Sequence, residues 1–343
     1  MKPLLAVLGL SLSILPTAAG QRELYFFNWS DYLPAPILER FTRETGILVH
    51  YSTYDSNEAM YAKVKLLGGG SYDLTVPSTY LVDRMRKEGL LLPLDHGRIP
   101  NFKNLSPRHL NQPFDPDNRF SVPYLWGTTG IAVHASRIDP DSVSSWTDLW
   151  HPRFRRALLL PNDMRELFHM AFLVLGLPVN STQPEHIARA YHKLRELMPN
   201  VRVFSSDAPQ ILFITGEVDI GMLWNGVAYL ARREDPDIHF LHPKEGPLLW
   251  MDNLVILKNA RHPDEAHALI DYLLRPEIGK EISAAIGYAS PNADAVRLLP
   301  AEVRDDPAVY PPDEVLRRGE YQTDLGPALR LYTEYWEKLK AGQ

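Results

Sequence analysis

The chain has 343 residues, no cysteine and a formal net charge of −6 at pH 7. This length is enough for two domains with separate hydrophobic cores. The lack of cysteine excludes disulfides, and an acidic chain without a Lys/Arg cluster is a poor candidate for binding nucleic acid.

The first twenty residues have the pattern of a secretory signal peptide. Lys2 precedes an apolar run over residues 4–15, and small residues extend from Thr17 to Gly20. The run is too short to span a bilayer as a helix. The alternative is a buried N-terminal helix of the folded protein, but the run has no polar face that such a helix would present to solvent. A lipid anchor would require a cysteine just after the signal. We therefore expect a mature chain that begins near Gln21, is soluble in a bacterial periplasm and has no lipid anchor.

The first half of the chain alternates predicted strands with predicted helices. Apolar runs over residues 24–28, 47–51 and 74–76 predict strands, and helical patterns end at Gly46 and Gly89. Asp55, followed three residues later by Glu58, resembles a capping box and predicts the start of a helix that ends near residue 67. Repeated β-α-β units predict a mostly parallel sheet with helices on both faces.

The second half repeats this alternation. Strands are predicted at residues 157–160, 219–224 and 254–257, and helices at 163–175, 184–197, 266–274, 276–286 and 326–339. No Gly/Ser tract or charge run divides the chain, so we expect several crossings between the domains, near Gly130, Met251 and Ala293. The predicted domains are residues 21–130 with 251–293, and residues 131–250 with 294–343.

Four polar or aromatic residues each follow a different predicted strand. They are Trp29, Ser78, Asp163 and Trp224. In open α/β sheets, ligands bind beyond the carboxyl ends of the strands. We therefore expect these residues to meet in one cleft.

Aromatic and acidic residues recur together along the chain. Asp163 and Glu166 share a face at a helix start, where the helix dipole alone could also account for two carboxylates. Trp250 and Asp252 are two residues apart on a strand, so their side chains point the same way. Aromatic faces attract cations and cover methylene carbons, and carboxylates neutralise ammonium groups. The pattern therefore indicates a site for an organic cation of the polyamine class, although any one tryptophan could be a core residue.

No catalytic motif accompanies these residues. The sequence lacks Gly-x-Ser-x-Gly and His-Glu-x-x-His, and residues 68–71 lack the Lys-Ser/Thr ending of a phosphate loop. We expect neither catalysis nor a bound metal ion nor another cofactor. A hydrolase acting on an amine is the enzymatic alternative, but nothing in the pattern supplies a nucleophile.

Long stretches of the mature chain closely resemble the spermidine/putrescine-binding proteins of bacterial polyamine ABC transporters. The matching stretches are residues 27–29, 51–54, 60–63, 73–80, 113–116, 145–150, 244–246, 250–252, 272–276 and 286–288. The resemblance implies an α/β, two-lobed periplasmic binding protein of the type II-like class, with a mixed sheet flanked by helices in each lobe and a ligand cleft between the lobes. It also implies closure on the ligand about a hinge and docking on a membrane permease. We expect a monomer.

The resemblance also implies the ligand-binding positions, by their match to the motifs of the family. They are Trp29, Ser30, Asp31, Tyr32, Ser78, Tyr80, Asp163, Glu166, Trp224, Trp250, Asp252, Tyr288 and Gln322. The carboxylates are expected to neutralise the ammonium groups, and the aromatic rings to line the methylene chain. Ser78, Tyr80 and Gln322 are expected to hydrogen-bond the amine ends.

A few positions bear on which polyamine is preferred. Ser30 and Asp31 stand where spermidine-preferring members have Thr and Glu, and there the chain is similar to the putrescine type. Val227, however, stands where the putrescine type has a carboxylate. Four further positions resemble the spermidine type: Tyr80, Asp163, Trp250 and Gln322. We therefore expect spermidine to be preferred and putrescine to bind more weakly. A putrescine-preferring receptor, a binding protein for another organic cation and a polyamine sensor are the alternatives.

Overall fold

The computed structural model describes residues 21–68 and 70–342, so the predicted signal peptide lies outside the described residues. Within these residues the strands are β1 Arg22–Trp29, β2 Ile47–Tyr54, β3 Leu74–Thr75, β4 Val122–His134, β5 Leu158–Leu160, β6 Val201–Phe204, β7 Ile220–Trp224, β8 Ile238–Leu241, β9 Leu248–Ile256 and β10 Glu320–Tyr321. The α-helices are α1 Ala35–Thr45, α2 Asn57–Leu66, α3 Thr79–Lys87, α4 Met164–Leu175, α5 Pro184–Leu197, α6 Gln210–Ile214, α7 Asn225–Glu234, α8 Pro263–Leu273, α9 Pro276–Ile286, α10 Ala293–Leu298, α11 Ala301–Arg304, α12 Asp313–Leu316 and α13 Leu329–Ala341. In this part of the chain, no helix combines the length and the apolar character that crossing a membrane requires.

The first sheet has the strand order β2-β1-β3-β9 and is covered by helices on both faces. β1 is parallel to β2 and β3, and the C-terminal end of β9 is antiparallel to β3. Successive β1 side chains point to opposite faces of the sheet. Phe26 accordingly packs with Ile37 of α1 and Leu269 of α8. Phe27 packs with Met60 of α2 on the other face. We call this sheet and its helices the first lobe.

The second sheet continues in the order β9-β4-β7-β5-β6, with β8 beside β4 and β10 beside β9. β5 is parallel to β6 and β7. The buried side chains of β5 again divide between two cores. Leu158 and Leu160 pack with Phe168 of α4, whereas Leu159 packs with Ala228 of α7. We call this part the second lobe. The predicted fold class, two lobes that each contain a mixed sheet flanked by helices, is confirmed.

Strand β9 belongs to both sheets. Its residues 248–254 pair with β4, and Val255 and Ile256 pair with β3. The sequence predicted β9 in two pieces, around residues 250–252 and at 254–257. It missed β4, because Pro123 and two glycines usually interrupt a strand. Gly127 is needed in β4, since a Cβ there would lie 2.4 Å from the Trp250 ring. The β-α-β units of the first half form the predicted parallel pairs of β1 with β2 and β3, but the antiparallel strands β9 and β4 make both sheets mixed. The division of the chain near residues 130, 251 and 293 stays a prediction.

Most helix ends agree with the sequence patterns. Gly46 ends α1 with φ 72°, a left-handed conformation that glycine adopts without strain. The start of α2 differs by one residue from the prediction. Ser56 rather than Asp55 caps this helix, and its hydroxyl accepts a hydrogen bond from the Ala59 N–H at 3.2 Å. Asp55 instead accepts a hydrogen bond from the Ser30 hydroxyl at 2.7 Å.

Candidate ligand-binding site

A cavity lies where strands of the two lobes end. Trp29 and Trp224 are the last residues of β1 and β7, while Ser78 and Asp163 follow β3 and β5. All four residues line the cavity, as the strand-end argument predicted. Its volume is about 160 Å³. One water molecule needs about 10–15 Å³ of such space, so the cavity has room for a small organic molecule.

The structure brings all the predicted site residues to this one cavity. Those lining it are Trp29, Ser30, Asp31, Tyr32, Ser78, Tyr80, Asp163, Glu166, Trp224, Trp250, Asp252, Tyr288 and Gln322. Each lobe contributes part of the wall, and β9, which both lobes share, contributes Trp250 and Asp252. Their separation by two residues places both side chains on the cavity face of the strand.

Asp252 is the most firmly held carboxylate of the site. It is 4% exposed, and it accepts hydrogen bonds from the Ser78 hydroxyl at 2.5 Å and the Tyr32 hydroxyl at 2.6 Å. The Asn57 amide donates to the Ser78 hydroxyl oxygen at 2.9 Å and so fixes that hydroxyl. Burial raises the pKa of Asp252 to about 6, although the two hydrogen bonds it accepts oppose the shift.

Asp163 has two roles in the structure. Its carboxylate accepts a hydrogen bond from the Glu166 N–H at 3.0 Å, which caps the N-terminus of α4. The same side chain lines the cavity. Asp163 therefore caps the helix and also faces the cavity, and its role in binding a ligand stays a prediction. Burial raises the pKa of Asp163 above its ordinary value.

Glu166 lies in the first turn of α4 and is buried, with 6% of its surface exposed. Burial raises its pKa to about 8, and the neighbouring carboxylates of Asp163 and Asp252 repel its charge and add to the shift. Its Oε2 atom has no hydrogen-bond partner within the described residues. A buried carboxylate in this state gains most from a cation placed in the cavity.

Aromatic rings form much of the remaining wall. Tyr288 lies 4.9 Å from Trp250 in an edge-to-face arrangement and 5.5 Å from Tyr32, measured between ring centroids. The Trp29 indole N–H donates to the Val76 carbonyl at 2.9 Å, which fixes that ring against the first sheet. The rings are thus held in place before any ligand binds, and their faces can cover methylene carbons or attract a cation.

Two further polar atoms at the cavity lack protein partners. The Trp250 Nε1 and Gln322 Nε2 atoms are buried, and the described part of the chain offers neither of them a hydrogen-bond acceptor. Both side chains line the cavity. Buried donors without an acceptor are costly, and because a protonated amine offers only donors, a water molecule held beside the ligand is the expected partner of these two atoms.

One cationic side chain lies beside the acids. Arg165 is 3% exposed, donates to the Thr323 carbonyl at 2.9 Å and lies over the Tyr80 ring at 4.6 Å. It therefore faces inward and joins the second lobe to Tyr80 of the first. The guanidinium offsets part of the negative charge on this side of the cavity.

The sequence did not reveal every residue near the cavity. Residues 206–210, which follow β6, form one part of the wall. They were missed because β6 was not predicted, although the alternation over residues 201–204 was a usable signal. Glu58, read only as a helix-start residue, accepts a hydrogen bond from the Tyr80 hydroxyl at 3.1 Å. Among the described residues, no group of three or more His, Cys, Asp or Glu side chains could hold a metal ion.

Comparison with known proteins identifies the family. The model of the family described as bacterial extracellular solute-binding protein matches residues 37–311. The chain belongs to this family. The solute-binding protein is 49% identical over 341 residues to a spermidine/putrescine-binding periplasmic protein of Salmonella typhimurium, across 99% of this chain and 98% of the relative. It is 50% identical over 326 residues to the protein of that name from Escherichia coli, across 95% and 94% of the two chains.

A solved structure supports the same family assignment. The putative spermidine/putrescine ABC transporter from Listeria monocytogenes superposes on the solute-binding protein with a TM-score of 0.91 and 36% identity, across 94% of this chain and 100% of the other. The resemblance to the polyamine-binding proteins that the sequence motifs carried is confirmed. The family consists of solute-binding transport proteins, so this protein is a binding protein and not an enzyme.

Proposed function

We propose that the protein captures a polyamine in the periplasm, spermidine in preference to putrescine, and delivers it to the permease of an ABC transporter. The observation that carries the proposal is one cavity in which buried carboxylates alternate with fixed aromatic rings. The names of the relatives, which are spermidine/putrescine-binding proteins, support the same ligand class.

The charges of the cavity suit a linear polycation. Spermidine carries three ammonium groups, separated by three and four methylene carbons. Asp163, Glu166 and Asp252 would neutralise these groups inside the cavity, and Asp31, which is exposed, would act at its rim. Each hydrogen bond to a charged group contributes about 1.5–3 kcal/mol, and each desolvated cation–π contact about 0.5–2 kcal/mol. Micromolar affinity requires only about 8 kcal/mol net, so these contacts suffice after desolvation costs.

The preference for spermidine depends on a balance of positions. Val227 lines the cavity and is apolar, whereas the putrescine type has a carboxylate at that position. Asp31 matches the putrescine-preferring members of the family, but it lies at the exposed rim of the cavity, where water screens its charge. Four positions match the spermidine type and count for more in this proposal: Tyr80 and Gln322, which are buried, and Asp163 and Trp250, which are partly buried.

The proposal includes the cellular setting. The pattern of residues 1–20 suits a signal peptide, and without a cysteine the chain cannot be anchored by lipid at a cysteine after that signal. The names of the relatives place those proteins in the periplasm. We propose that the mature protein is a monomer there and docks on its permease with the ligand enclosed.

Titration calorimetry tests the ligand. The protein is first unfolded and refolded to remove carried-over polyamine, and is then titrated with spermidine and putrescine in parallel. We expect one-to-one binding of spermidine and weaker binding of putrescine. Stronger binding of putrescine would reverse the proposed preference and show that Asp31 outweighs the four positions that match the spermidine type. Binding of neither ligand would refute the polyamine proposal.

A further inference from the structure

Asn57 lines the cavity but belongs to none of the motifs from which the site was predicted. It is the first residue of α2, and it is 4% exposed. Its amide nitrogen donates to the Ser78 hydroxyl oxygen at 2.9 Å, and its amide oxygen accepts from the Ser78 N–H at 3.2 Å. Asn57 therefore holds one other wall residue of the cavity through both ends of its amide group.

The chemistry of these two bonds fixes the orientation of the Asn57 amide. A backbone N–H can only donate, so the amide oxygen must face the Ser78 backbone. The amide nitrogen, which can also only donate, then faces the Ser78 hydroxyl oxygen. That hydroxyl is thus an acceptor toward Asn57, and its single proton is directed to another partner.

The partner that receives this proton is Asp252. The Ser78 hydroxyl donates to Asp252 Oδ1 at 2.5 Å, and the Tyr32 hydroxyl donates to Oδ2 at 2.6 Å. A serine at a helix N-cap usually accepts a hydrogen bond from a backbone N–H of the first turn. Ser78 is the N-cap residue of α3, yet among the described residues its side chain makes no such bond. Its hydroxyl therefore serves the Asp252 carboxylate instead of its own helix.

We propose that Asn57 is a positioning residue for ligand binding, which orients the Ser78 hydroxyl so that Asp252 presents a fixed, ionised carboxylate to the cavity. The inference rests on the proposed function, in which Asp252 binds an ammonium group. Without the Asn57 amide, the hydroxyl can rotate and turn a lone pair toward the carboxylate, which repels it. Each carboxylate oxygen has about two lone-pair sites, so one on each oxygen stays free for the ligand.

A double-mutant cycle with Asn57→Ala and Ser78→Ala tests this path. In calorimetry on stripped protein at pH 7, Asn57→Ala should weaken spermidine binding about three- to tenfold, as expected for the loss of one hydrogen bond. In the Ser78→Ala background, where the hydroxyl is absent, the same change should weaken binding less than about twofold. A residue that only packs the wall would act independently of the hydroxyl. Equal losses in both backgrounds, or no loss in the wild type, would overturn the inference.

The pH profile gives a second readout that wall packing alone would not change. The titratable groups that face Asp252 are the Glu166 carboxyl of α4 and three buried hydroxyls whose raised pKa values keep them neutral, those of Tyr32, Tyr54 and Tyr288. The profile is therefore measured in the Glu166→Gln background. Donation from Ser78 lowers the pKa of Asp252, so a freely rotating hydroxyl should leave that pKa above about 6. Asn57→Ala should then weaken binding more at pH 6 than at pH 8, and equal weakening would contradict the inference.

Asn104→Ala is the matched control for the removal of a buried amide. Asn104 is 7% exposed, its amide donates to the carbonyl of Leu274, at the end of α8, at 3.1 Å, and it lies outside the cavity lining. This variant should lower the unfolding temperature and leave spermidine affinity unchanged. Asn57→Leu, which is similar in volume to the wild-type side chain, enters the same cycle, so the test is complete even if Asn57→Ala does not fold.

The wild-type titration distinguishes the two levels of failure. If the wild-type protein binds neither polyamine, the proposed function fails and the inference fails with it. If it binds spermidine and the losses from the two substitutions add, the proposed function stands and the positioning role of Asn57 is overturned.

Discussion

At the scale of single residues, the site combines fixed polar partners with incompletely balanced charge. Asp252 has two hydroxyl donors, whereas Glu166 has an oxygen without a partner in the described chain. Both carboxylates are buried, and burial raises both pKa values. A ligand ammonium would restore the solvation that these carboxylates lost on folding, which is why an acid-lined cavity selects cations.

Asp252 should contribute more to binding than the hydroxyl that supports it. Asp252→Asn leaves a buried ammonium without its counter-charge, which typically costs about 3–5 kcal/mol, whereas Ser78→Ala removes one hydrogen bond worth about 1 kcal/mol. We expect Asp252→Asn to weaken spermidine binding more than a hundredfold and Ser78→Ala about tenfold or less. Calorimetry on both variants, after a check of folding by circular dichroism, measures the difference. Equal affinities would contradict the proposed roles.

Binding should depend on pH through Glu166. Burial raises its pKa to about 8, so the carboxyl holds a proton at pH 7 while the lobes are closed without a ligand. A bound cation favours the ionised form, so binding releases a proton and affinity rises with pH between about 6 and 8, by at most about tenfold per unit. Titrations at pH 6, 7 and 8, in buffers with different ionisation enthalpies, would measure the proton release.

The substitution Glu166→Gln provides the control for this pH dependence. The variant should bind more weakly at pH 8, and its affinity should stay nearly constant from pH 7 to 8. A residual slope near pH 6 is expected from Asp252, whose pKa is raised to about 6. A wild-type affinity that stayed constant from pH 6 to 8 would show that Glu166 does not ionise on binding.

At the scale of secondary structure elements, close packing of α7 against the end of α9 positions Tyr288. Gly226 lies in the first turn of α7, and a Cβ at this position would lie 2.3 Å from the Tyr288 ring. Gly287 ends α9 with φ 74° and places Tyr288 immediately after the helix. The two glycines therefore determine where this ring meets the cavity.

Gly226→Ala should displace Tyr288 and weaken polyamine binding. Inserting a methyl group into a packed region also costs about 1–3 kcal/mol of unfolding free energy. Gly70→Ala is the matched control, because no atom lies within 4 Å of a Cβ there and the backbone is not left-handed. Denaturant unfolding and calorimetry on both variants test the prediction. A Gly226→Ala protein with wild-type affinity would show that the ring position is not critical.

Local sequence patterns predicted the strands and helices that show regular apolar periodicity and ordinary helix ends. The strand-end positions of Trp29, Ser78, Asp163 and Trp224 followed from apolar runs alone, and all four residues meet at the cavity. The family resemblance, rather than any local pattern, supplied Gln322. β4 was missed because its glycines allow close approach of side chains from β9 and β8, a tertiary contact that the local pattern does not reveal. Glu58 was missed because only the fold brings α2 beside Tyr80 and Asp163.

At the scale of the whole molecule, the two lobes touch around the cavity. The Thr79 hydroxyl donates to the Gln322 carbonyl at 3.1 Å, and Arg165 lies over the Tyr80 ring. These contacts hold together a cavity with several acids and one neighbouring guanidinium. Without a ligand, repulsion between the acids opposes them.

We therefore expect the ligand-free protein to be open and hydrated and to close when a polyamine neutralises the acids. Small-angle X-ray scattering of stripped protein should give a larger radius of gyration than the same protein with spermidine. Asp252→Asn provides a control, since it should remain extended at spermidine concentrations that close the wild type. Identical scattering from the stripped and the loaded wild-type protein would refute this expectation.

The shared strand β9 has a consequence for the sequence of events during capture. Val255 and Ile256 pair with β3 and residues 248–254 pair with β4, so we expect any rotation of one sheet against the other to take place about this strand. Atoms near an axis of rotation travel least. Trp250 and Asp252 would then stand in nearly the same positions before and after the movement, whereas Asp163, which lies off this strand at the start of α4, would move further. The incoming polyamine would thus contact Trp250 and Asp252 first, at positions that do not change, and Asp163 would reach it only as the lobes close.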